Sequence, residues 1–508
     1  MPELKPWRRP RQLWEQLPKP SAGKLPRMSG KLTTWQLTAG AAAIGLVISA
    51  GAVAAAGPWD SSGQRTAERD RAAAQEAAGG ADHGRRTSGQ GPEAAPSAPS
   101  VLAGLGAPAG TAPRPTDRAL ADVLDPLLAD PALGPQRSAV VLDATSGERV
   151  YGKAAGDGLT PASTIKIATA VAALSALGPD HRIATRAVVE PDSEDVVLVG
   201  GGDPTLTARK DGRYTDTAAG RRARAADTAR ALKARDIDKV TLSYDTSLYS
   251  GPPQHPIGPN ENITQVSALM IDEGRLDDST SGPAPRAGDP AGDAVRKFAD
   301  LLKDHGITTA ADPGPTKASP RARTLAQVES PPLSALVERM LTHSDNDIAE
   351  ALARQTALAA KEPASFDGAG RAVAARLGKL KLPLSGTRFA DGSGLDRADR
   401  VSAGLLAALL ERAADPSHPE LRSVVTGLPV AGFTGTLVDR YPKDSPGTGL
   451  VRAKTGTLTG VNTLAGTVVD ADGRLLLFAF MTTGTTDAQG AQKALDQMAS
   501  TVANCGCR

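Results

Sequence analysis

The chain is 508 residues long, 40% hydrophobic and 22% charged with a formal net charge of +2; a disordered or collagen-like polymer and a global polycation are excluded, and about three domains fit at roughly 150 residues each. Six Phe, four Trp and five Tyr are too few for base-stacking nucleic-acid binding or an aromatic-lined sugar cleft. Two cysteines, six histidines and no HxxxH pair leave neither a disulfide framework nor a cysteine-built metal site, so no metal or other cofactor is expected.

Residues 1–36 carry eight Lys/Arg against Glu3 and Glu15. Residues 37–57 follow without a charge, about the 20 residues that a bilayer-crossing helix needs. A basic flank first places the N-terminus inside and the bulk outside. We therefore expect a basic cytoplasmic segment (1–36), a transmembrane signal-anchor (37–57) and membrane attachment through that helix. The alternative is a cleaved signal peptide with Ala52-Val53-Ala54 as its small-residue site; either way the functional part is exported. Residues 58–115, rich in Ala, Gly, Pro and Ser, read as a flexible linker.

Folding is expected to begin at Thr116, an N-cap before the helical pattern ALADVLDPLLAD. Residues 138–143 and 149–151 read as a hairpin. Next, RARAADTARALKARDI leads into DKVTLSYD, and AGDAVRKFADLLKDHGI follows. This reads as a smaller α/β domain inserted at 187–324 into a catalytic domain made of 116–186 and 325–508. Residues 332–412 read as helix-rich. Strands are expected at 451–457, 461–469 and 474–481, the last two joined at Asp472-Gly473. Ala491, Leu495, Met498 and Val502 then form one stripe of a C-terminal helix. Cys505-Gly506-Cys507 reads as a frayed tail whose thiols are free to oxidise outside the cell.

Three short motifs carry chemistry. In Thr160-Pro161-Ala162-Ser163-Thr164-Ile165-Lys166, Thr160 is a good N-cap and Pro161 suits the first helical position, with Gly178-Pro179 as the stop. Ser163 then lies in the first turn, where its amide has no intrahelical partner, so one residue offers a nucleophile and an oxyanion donor. Lys166 lies one turn on and can take the serine proton if burial or a neighbouring cation lowers its pKa. SxxK alone is weak, since Ser21-Ala22-Gly23-Lys24 also matches. Ser344-Asp345-Asn346 falls between two amphipathic patterns, where a short loop aims Ser344 and Asn346 into a cleft. Lys454-Thr455-Gly456-Thr457 opens a strand that sends Lys454 and Gly456 to one face and Thr455 and Thr457 to the other. Gly456 is expected to leave room for a substrate backbone.

The ordered trio SxxK, SDN, KTG is the signature of class A β-lactamases and penicillin-binding proteins. With Leu198-Val-Gly-Gly-Gly-Asp-Pro-Thr-Leu206, Tyr244-Asp-Thr-Ser-Leu-Tyr-Ser-Gly251, Phe389-Ala-Asp-Gly-Ser-Gly-Leu395 and Gly435-Thr-Leu-Val-Asp-Arg440, the chain resembles the low-molecular-mass class C penicillin-binding proteins, D-alanyl-D-alanine carboxypeptidases/endopeptidases of the DacB type, over about 117–485. The resemblance implies an α/β fold of the serine β-lactamase/transpeptidase type, an antiparallel sheet with helices carrying an inserted smaller α/β domain. It implies that Ser163 attacks the carbonyl between two terminal D-alanines of a peptidoglycan stem peptide, with Lys166 as base and Ser344 relaying the proton. Asn346 would hold the substrate amide, Lys454 orient the site, Thr455 bind the terminal carboxylate, and the amides of Ser163 and Thr457 form the oxyanion hole. β-Lactams would acylate Ser163. A β-lactamase and a non-catalytic scaffold on the same fold are the alternatives.

Other features read as ordinary structure. Gly200-Gly201-Gly202-Asp203 lacks the Gly-Lys-Ser/Thr of a phosphate cradle. His343 beside Ser344 has no GxSxG context. Asp391-Gly392-Ser393-Gly394 reads as a turn, and Asn262-Ile263-Thr264 is a sequon without a role.

Overall fold

The computed structural model describes residues 114–507 apart from 192, 210–218 and 311–313. The segments 1–36 and 37–57 and all but the end of the 58–115 linker lie outside the described residues. Among the described residues, no helix is long and apolar enough to cross a membrane.

Helix α1 (Asp117–Leu128) starts where its signal lies: Thr116 accepts from the Ala119 amide. The hairpin of β1 (Gln136–Asp143) and β2 (Arg149–Lys153) leads to the central helix α2 (Lys166–Leu177). β3 (Ala184–Val189), β4 (Asp195–Val199), α3 (Ala219–Lys233), β5 (Lys239–Asp245), α4 (Pro290–Asp304), β6 (Thr308–Thr309) and β7 (Arg323–Glu329) follow. The chain then runs through α5 (Leu333–His343), α6 (Asn346–Ala359), α7 (Phe366–Lys379), α8 (Ala403–Ala414) and the short α9 (Arg422–Thr426). It ends with β8 (Arg452–Leu458), β9 (Val461–Val469), β10 (Leu475–Thr483) and α10 (Ala488–Ala503).

Among the described residues these strands form two five-stranded sheets. The first has the order β2-β1-β10-β9-β8 and is antiparallel throughout. The second has the order β6-β5-β4-β3-β7, antiparallel at β3 but parallel from β4 to β6. Two helix-then-strand units, α3 into β5 and α4 into β6, supply the parallel part, as crossover connections require. Residues 187–324, expected as the insert, contribute to this second sheet together with the flanking 184–186 and 325–329.

The first sheet is covered on both faces. On one side Phe478 and Phe480 of β10 join Leu120, Leu124, Leu495 and Met498 of α1 and α10. On the other, Leu477, Ala479 and Met481 join Ile167, Val171 and Leu405 of α2 and α8. Burial on both faces explains why β10 reads as one apolar run rather than an alternation. Helix α2 is buried at every position from Lys166 to Leu174, hence its apolar character all round.

The C-terminal tail corrects its expectation. Cys505 is buried in the α1/α10 core, the structure joins it to Cys507, and the Cys507 carbonyl accepts from the Thr116 amide at 3.0 Å. The tail thus closes onto the first helix rather than fraying.

Candidate active site

The site lies where three elements meet: the start of α2, the α5–α6 turn, and β8, the edge strand of the first sheet. α2 is preceded by a 3-10 turn, Ala162–Ile165, with no side-chain cap. Here the structure departs from the sequence reading. The Thr160 hydroxyl contacts the Arg397 carbonyl and accepts from the Arg400 guanidinium at 3.0 Å, away from the helix amides. Ser163 is partly exposed on this turn, while Lys166 is wholly buried.

Lys166 Nζ has three partners: Ser163 Oγ at 2.9 Å, Asn346 Oδ1 at 2.6 Å and the Ser393 carbonyl at 2.6 Å. The Asn346 amide orientation is fixed at its other end, where Nδ2 donates to the Asn262 carbonyl at 2.9 Å. A carbonyl and an amide oxygen can only accept. They therefore take two N–H groups of the amine and leave its third direction, N–H or lone pair, on Ser163 Oγ. Burial pushes the Lys166 pKa down to about 8, against the opposing pull of Asp391, Asp345, Glu350 and Asp399. At pH 7 about a tenth of it is then a neutral amine.

Ser344 ends α5 in a left-handed conformation, φ 59°. Asp345 turns inward and caps α6 by accepting from Ile348 N. The turn thereby presents Ser344 and Asn346 to one side, as the sequence reading anticipated. Lys454, also wholly buried, donates to Ser344 Oγ at 2.9 Å and to the Thr455 carbonyl at 2.8 Å. Burial holds its pKa well below the ordinary lysine value, and the charges of Lys166 and Arg440 push the same way. Thr455 Oγ1 shares a 2.8 Å hydrogen bond with Thr436.

A cavity of about 450 Å³ is lined by Ser163, Ser344, Asn346, Thr455, Thr457 and Arg440, among others. The strand alternation holds, for Thr455 and Thr457 face the cavity. Gly456 corrects its expectation. A Cβ there would lie 2.1 Å from Thr463 Oγ1, 2.7 Å from the Pro161 carbonyl and 3.1 Å from Ser163 N. Its small size lets β8 press against the nucleophile's turn rather than leaving room for substrate. His343 lines the cavity beside Ser344, but Ser344 pairs with Lys454.

The sequence reading missed the part played by the 389–399 loop. Asp391-Gly392-Ser393-Gly394 is a turn, yet its Ser393 carbonyl is a partner of Lys166, and its amides are held by Glu350. Gly394 has φ +85°, and a Cβ would sit 2.0 Å from the Ala162 carbonyl, so this loop packs directly on the nucleophile's turn. The Asp-Gly-Ser-Gly pattern was visible; the backbone group it supplies has no sequence signature. Two buried clusters, His255/Glu350/Asp391 and Glu273/Asp345/Asp347, bring ligand-type atoms together. In the first the carboxylates already accept from backbone amides; in the second, arginines 275 and 286 pair with Glu273 and Asp347.

Comparison with known proteins gives a consistent picture. The family described as D-Ala-D-Ala carboxypeptidase 3 (S13) matches residues 120–285 and 281–505. A carboxypeptidase of Mycobacterium tuberculosis is 36% identical over 436 residues, 84% of this chain and 92% of that protein. Carboxypeptidase DacB of Mycolicibacterium smegmatis is 36% identical over 78% of this chain and 86% of its own length. The crystal structure of penicillin binding protein 4 (dacB) from Haemophilus influenzae superposes with a TM-score of 0.59 at 22% identity, over 74% of this chain and 98% of that one.

Proposed function

This chain belongs to the D-Ala-D-Ala carboxypeptidase 3 (S13) family, a serine-type peptidase, and from that membership and its cleft we propose how the reaction runs on peptidoglycan stem peptides. The observation that carries the reading is Lys166, buried and aimed at Ser163 by two fixed acceptors.

The neutral Lys166 amine takes the proton of Ser163 as Oγ attacks the penultimate D-alanine carbonyl. The developing oxyanion is held by the amides of Ser163 and Thr457. That both residues line the cleft supports this, because such donors act where the charge develops. The proton passes through Ser344, hydrogen-bonded to Lys454, to the leaving nitrogen. The C–N bond breaks, D-alanine departs, and an ester remains on Ser163. Water, deprotonated by Lys166, hydrolyses the ester and frees the shortened stem peptide. Asn346 holds the substrate amide, and Thr455, backed by Lys454, receives the terminal carboxylate. A cross-link presents the same D-alanine carbonyl with a different amine beyond the bond, which is the basis for an endopeptidase activity. A β-lactam carbonyl would acylate Ser163 in the same way.

The basic 1–36 and uncharged 37–57 segments support an exported catalytic part held by an N-terminal membrane helix, with 58–115 as its tether. A membrane-fraction blot with N-terminal sequencing tests that placement; recovery of a soluble chain beginning after residue 54 would replace the anchor with a cleaved signal.

The test of the chemistry is intact mass after brief penicillin exposure. A long-lived adduct, absent in Ser163→Ala, together with release of D-alanine from a D-Ala-D-Ala peptide, is expected. Rapid loss of the adduct with penicillin consumed would make the protein a β-lactamase, and no adduct would overturn the assignment of Ser163.

A further inference from the structure

One of the acceptors that aim Lys166, the Ser393 carbonyl, belongs to a turn with no regular structure of its own, and that turn is held from two sides. From α6, the wholly buried Glu350 accepts with one oxygen, Oε1, from both Gly392 N and Ser393 N at 2.9 Å. Its other oxygen accepts from Arg354 at 3.2 Å. From within the turn, Asp391 folds back. Its Oδ1 accepts from Gly394 N at 2.6 Å, and its Oδ2 accepts from Ser393 Oγ at 3.0 Å and Asp396 N at 2.8 Å.

The same Oδ2 lies 3.0 Å from His255 Nε2. His255 comes from the long connection between β5 and α4, is 1% exposed, and packs edge-on against Phe366. Its Nδ1 accepts from Ile257 N at 3.3 Å, which leaves the ring proton on Nε2 to donate to Asp391. Neither Glu350 nor His255 lines the cleft, so neither has a part in the reaction as written above. Burying two carboxylates and an imidazole is unfavourable unless each is paired, and here the pairing converges on the loop that touches the base.

We propose that Glu350 and the His255–Asp391 pair are positioning residues for the general base, fixing the 390–395 turn so that the Ser393 carbonyl keeps Lys166 Nζ directed at Ser163. The proposal rests on Lys166 being that base. It also gives the connection that carries His255 a task, since its docking reaches the base through Asp391.

The charged and titratable groups around Nζ are Asp345 of the α5–α6 turn, Glu350 of α6, Asp391 and Asp399 of the 389–399 loop, and Lys454 of β8. Losing the Ser393 acceptor removes a partner of the ammonium form, so the Lys166 midpoint falls while its aim is lost. Four variants separate geometry from folding: Glu350→Ala and His255→Leu remove the support, whereas Glu350→Gln keeps an oxygen for the two amides and His255→Gln keeps a donor for Asp391. In both Glu350 variants the lost carboxylate charge lowers the midpoint as well, so there the aim is read from plateau acylation.

Each is read by acylation with benzylpenicillin across pH, by NMR titration of the Lys166 side chain in lysine-labelled protein, and by the melting temperature. In Glu350→Ala and His255→Leu the Lys166 midpoint is expected to fall by about one pH unit. Plateau acylation is expected to drop about 100-fold, the scale set by misplacing a reacting group by about 1 Å. The glutamine variants should recover to within about threefold of the native rate. Native titration and acylation in Ala and Leu variants would overturn the proposal. So would folded glutamine variants that fail as badly as their partners. A fault in the Ser163 chemistry itself would appear separately, as a native protein without an adduct, and the Lys166 titration would still read the positioning.

Discussion

Lys166 on the helix wall of the cleft and Lys454 on the strand wall are equally buried, yet their surroundings carry opposite charge. Lys166 has three hydrogen-bond acceptors and lies in the field of four carboxyl groups. Lys454 has two acceptors, Ser344 Oγ and the Thr455 carbonyl, and its charged neighbours are the cations Lys166 and Arg440. Desolvation lowers both pKa values, but for Lys166 the carboxylates oppose it, whereas for Lys454 the cations add to it. The first is balanced so that it can give up and regain a proton. Among the described residues no anion offsets the second, and the proposed terminal carboxylate at Thr455 would supply one.

The sharpest break of this comparison is Lys166→Met, which keeps an unbranched stem as far as the ε position and removes the amine. Acylation by penicillin is expected to fall by about 10³-fold, within the range that a positioned general base contributes. In the native protein the acylation rate should rise with pH and level off above about 8, because burial sets that midpoint and the proposed mechanism uses the neutral amine. That rising limb should vanish in the variant. A native rate independent of pH between 6 and 9 (on the order of three units around the midpoint) would take the base role from Lys166.

A smaller effect, and a more selective one, is expected from Lys454→Met. Loss of the cation proposed to back the terminal carboxylate should reduce kcat/KM for a D-Ala-D-Ala peptide by about 10²-fold, mostly through KM. The C-terminal amide of the same peptide should lose far less. Calorimetry in buffers of different ionisation enthalpy should show proton uptake when a carboxylate ligand binds the native protein, because the anion raises the Lys454 pKa, and none in the variant. Equal losses for peptide and amide would place Lys454 in the chemistry common to both.

How far the site was legible follows from what each residue contributes. Side-chain groups at fixed helical or strand spacing were readable: Ser163 and Lys166 share a helix face, Ser344 and Asn346 flank a turn, and Thr455 and Thr457 alternate on β8. Three adjacent strands of the antiparallel sheet were readable too, since strand patterns fall at 451–457, 461–469 and 474–481 and Asp472-Gly473 marks the hairpin that joins the last two. Backbone groups and contacts distant in sequence were not readable. The Ser393 carbonyl meets Lys166 across 227 residues and His255 meets Asp391 across 136, and no local pattern encodes such pairs. Gly456 was expected to leave room for a substrate backbone, but what fills that space is the turn of Ser163, an identity fixed only by tertiary packing.

Thr160 shows how a sound local rule can lose to the needs of the site. Capping residues accept from the second or third amide of their helix, and a Thr160 cap would place its hydroxyl on Ala162 N or Ser163 N. A bond to Ser163 N would occupy one of the two donors proposed for the oxyanion. In the structure the hydroxyl is turned to Arg397 and Arg400, while Ser402 of α8 caps Leu405 N in the ordinary way. Ser402→Ala should therefore lower unfolding stability by about 1 kcal/mol. Thr160→Ala should change it by less than about 0.5 kcal/mol, since the same Arg400 nitrogen keeps the carbonyls of Arg397 and Asp399, and should leave acylation at the native rate. Urea unfolding and penicillin acylation measured side by side decide the point: a Thr160→Ala protein as destabilised as Ser402→Ala, or slower to acylate, would mean that the hydroxyl supports the nucleophile's turn after all.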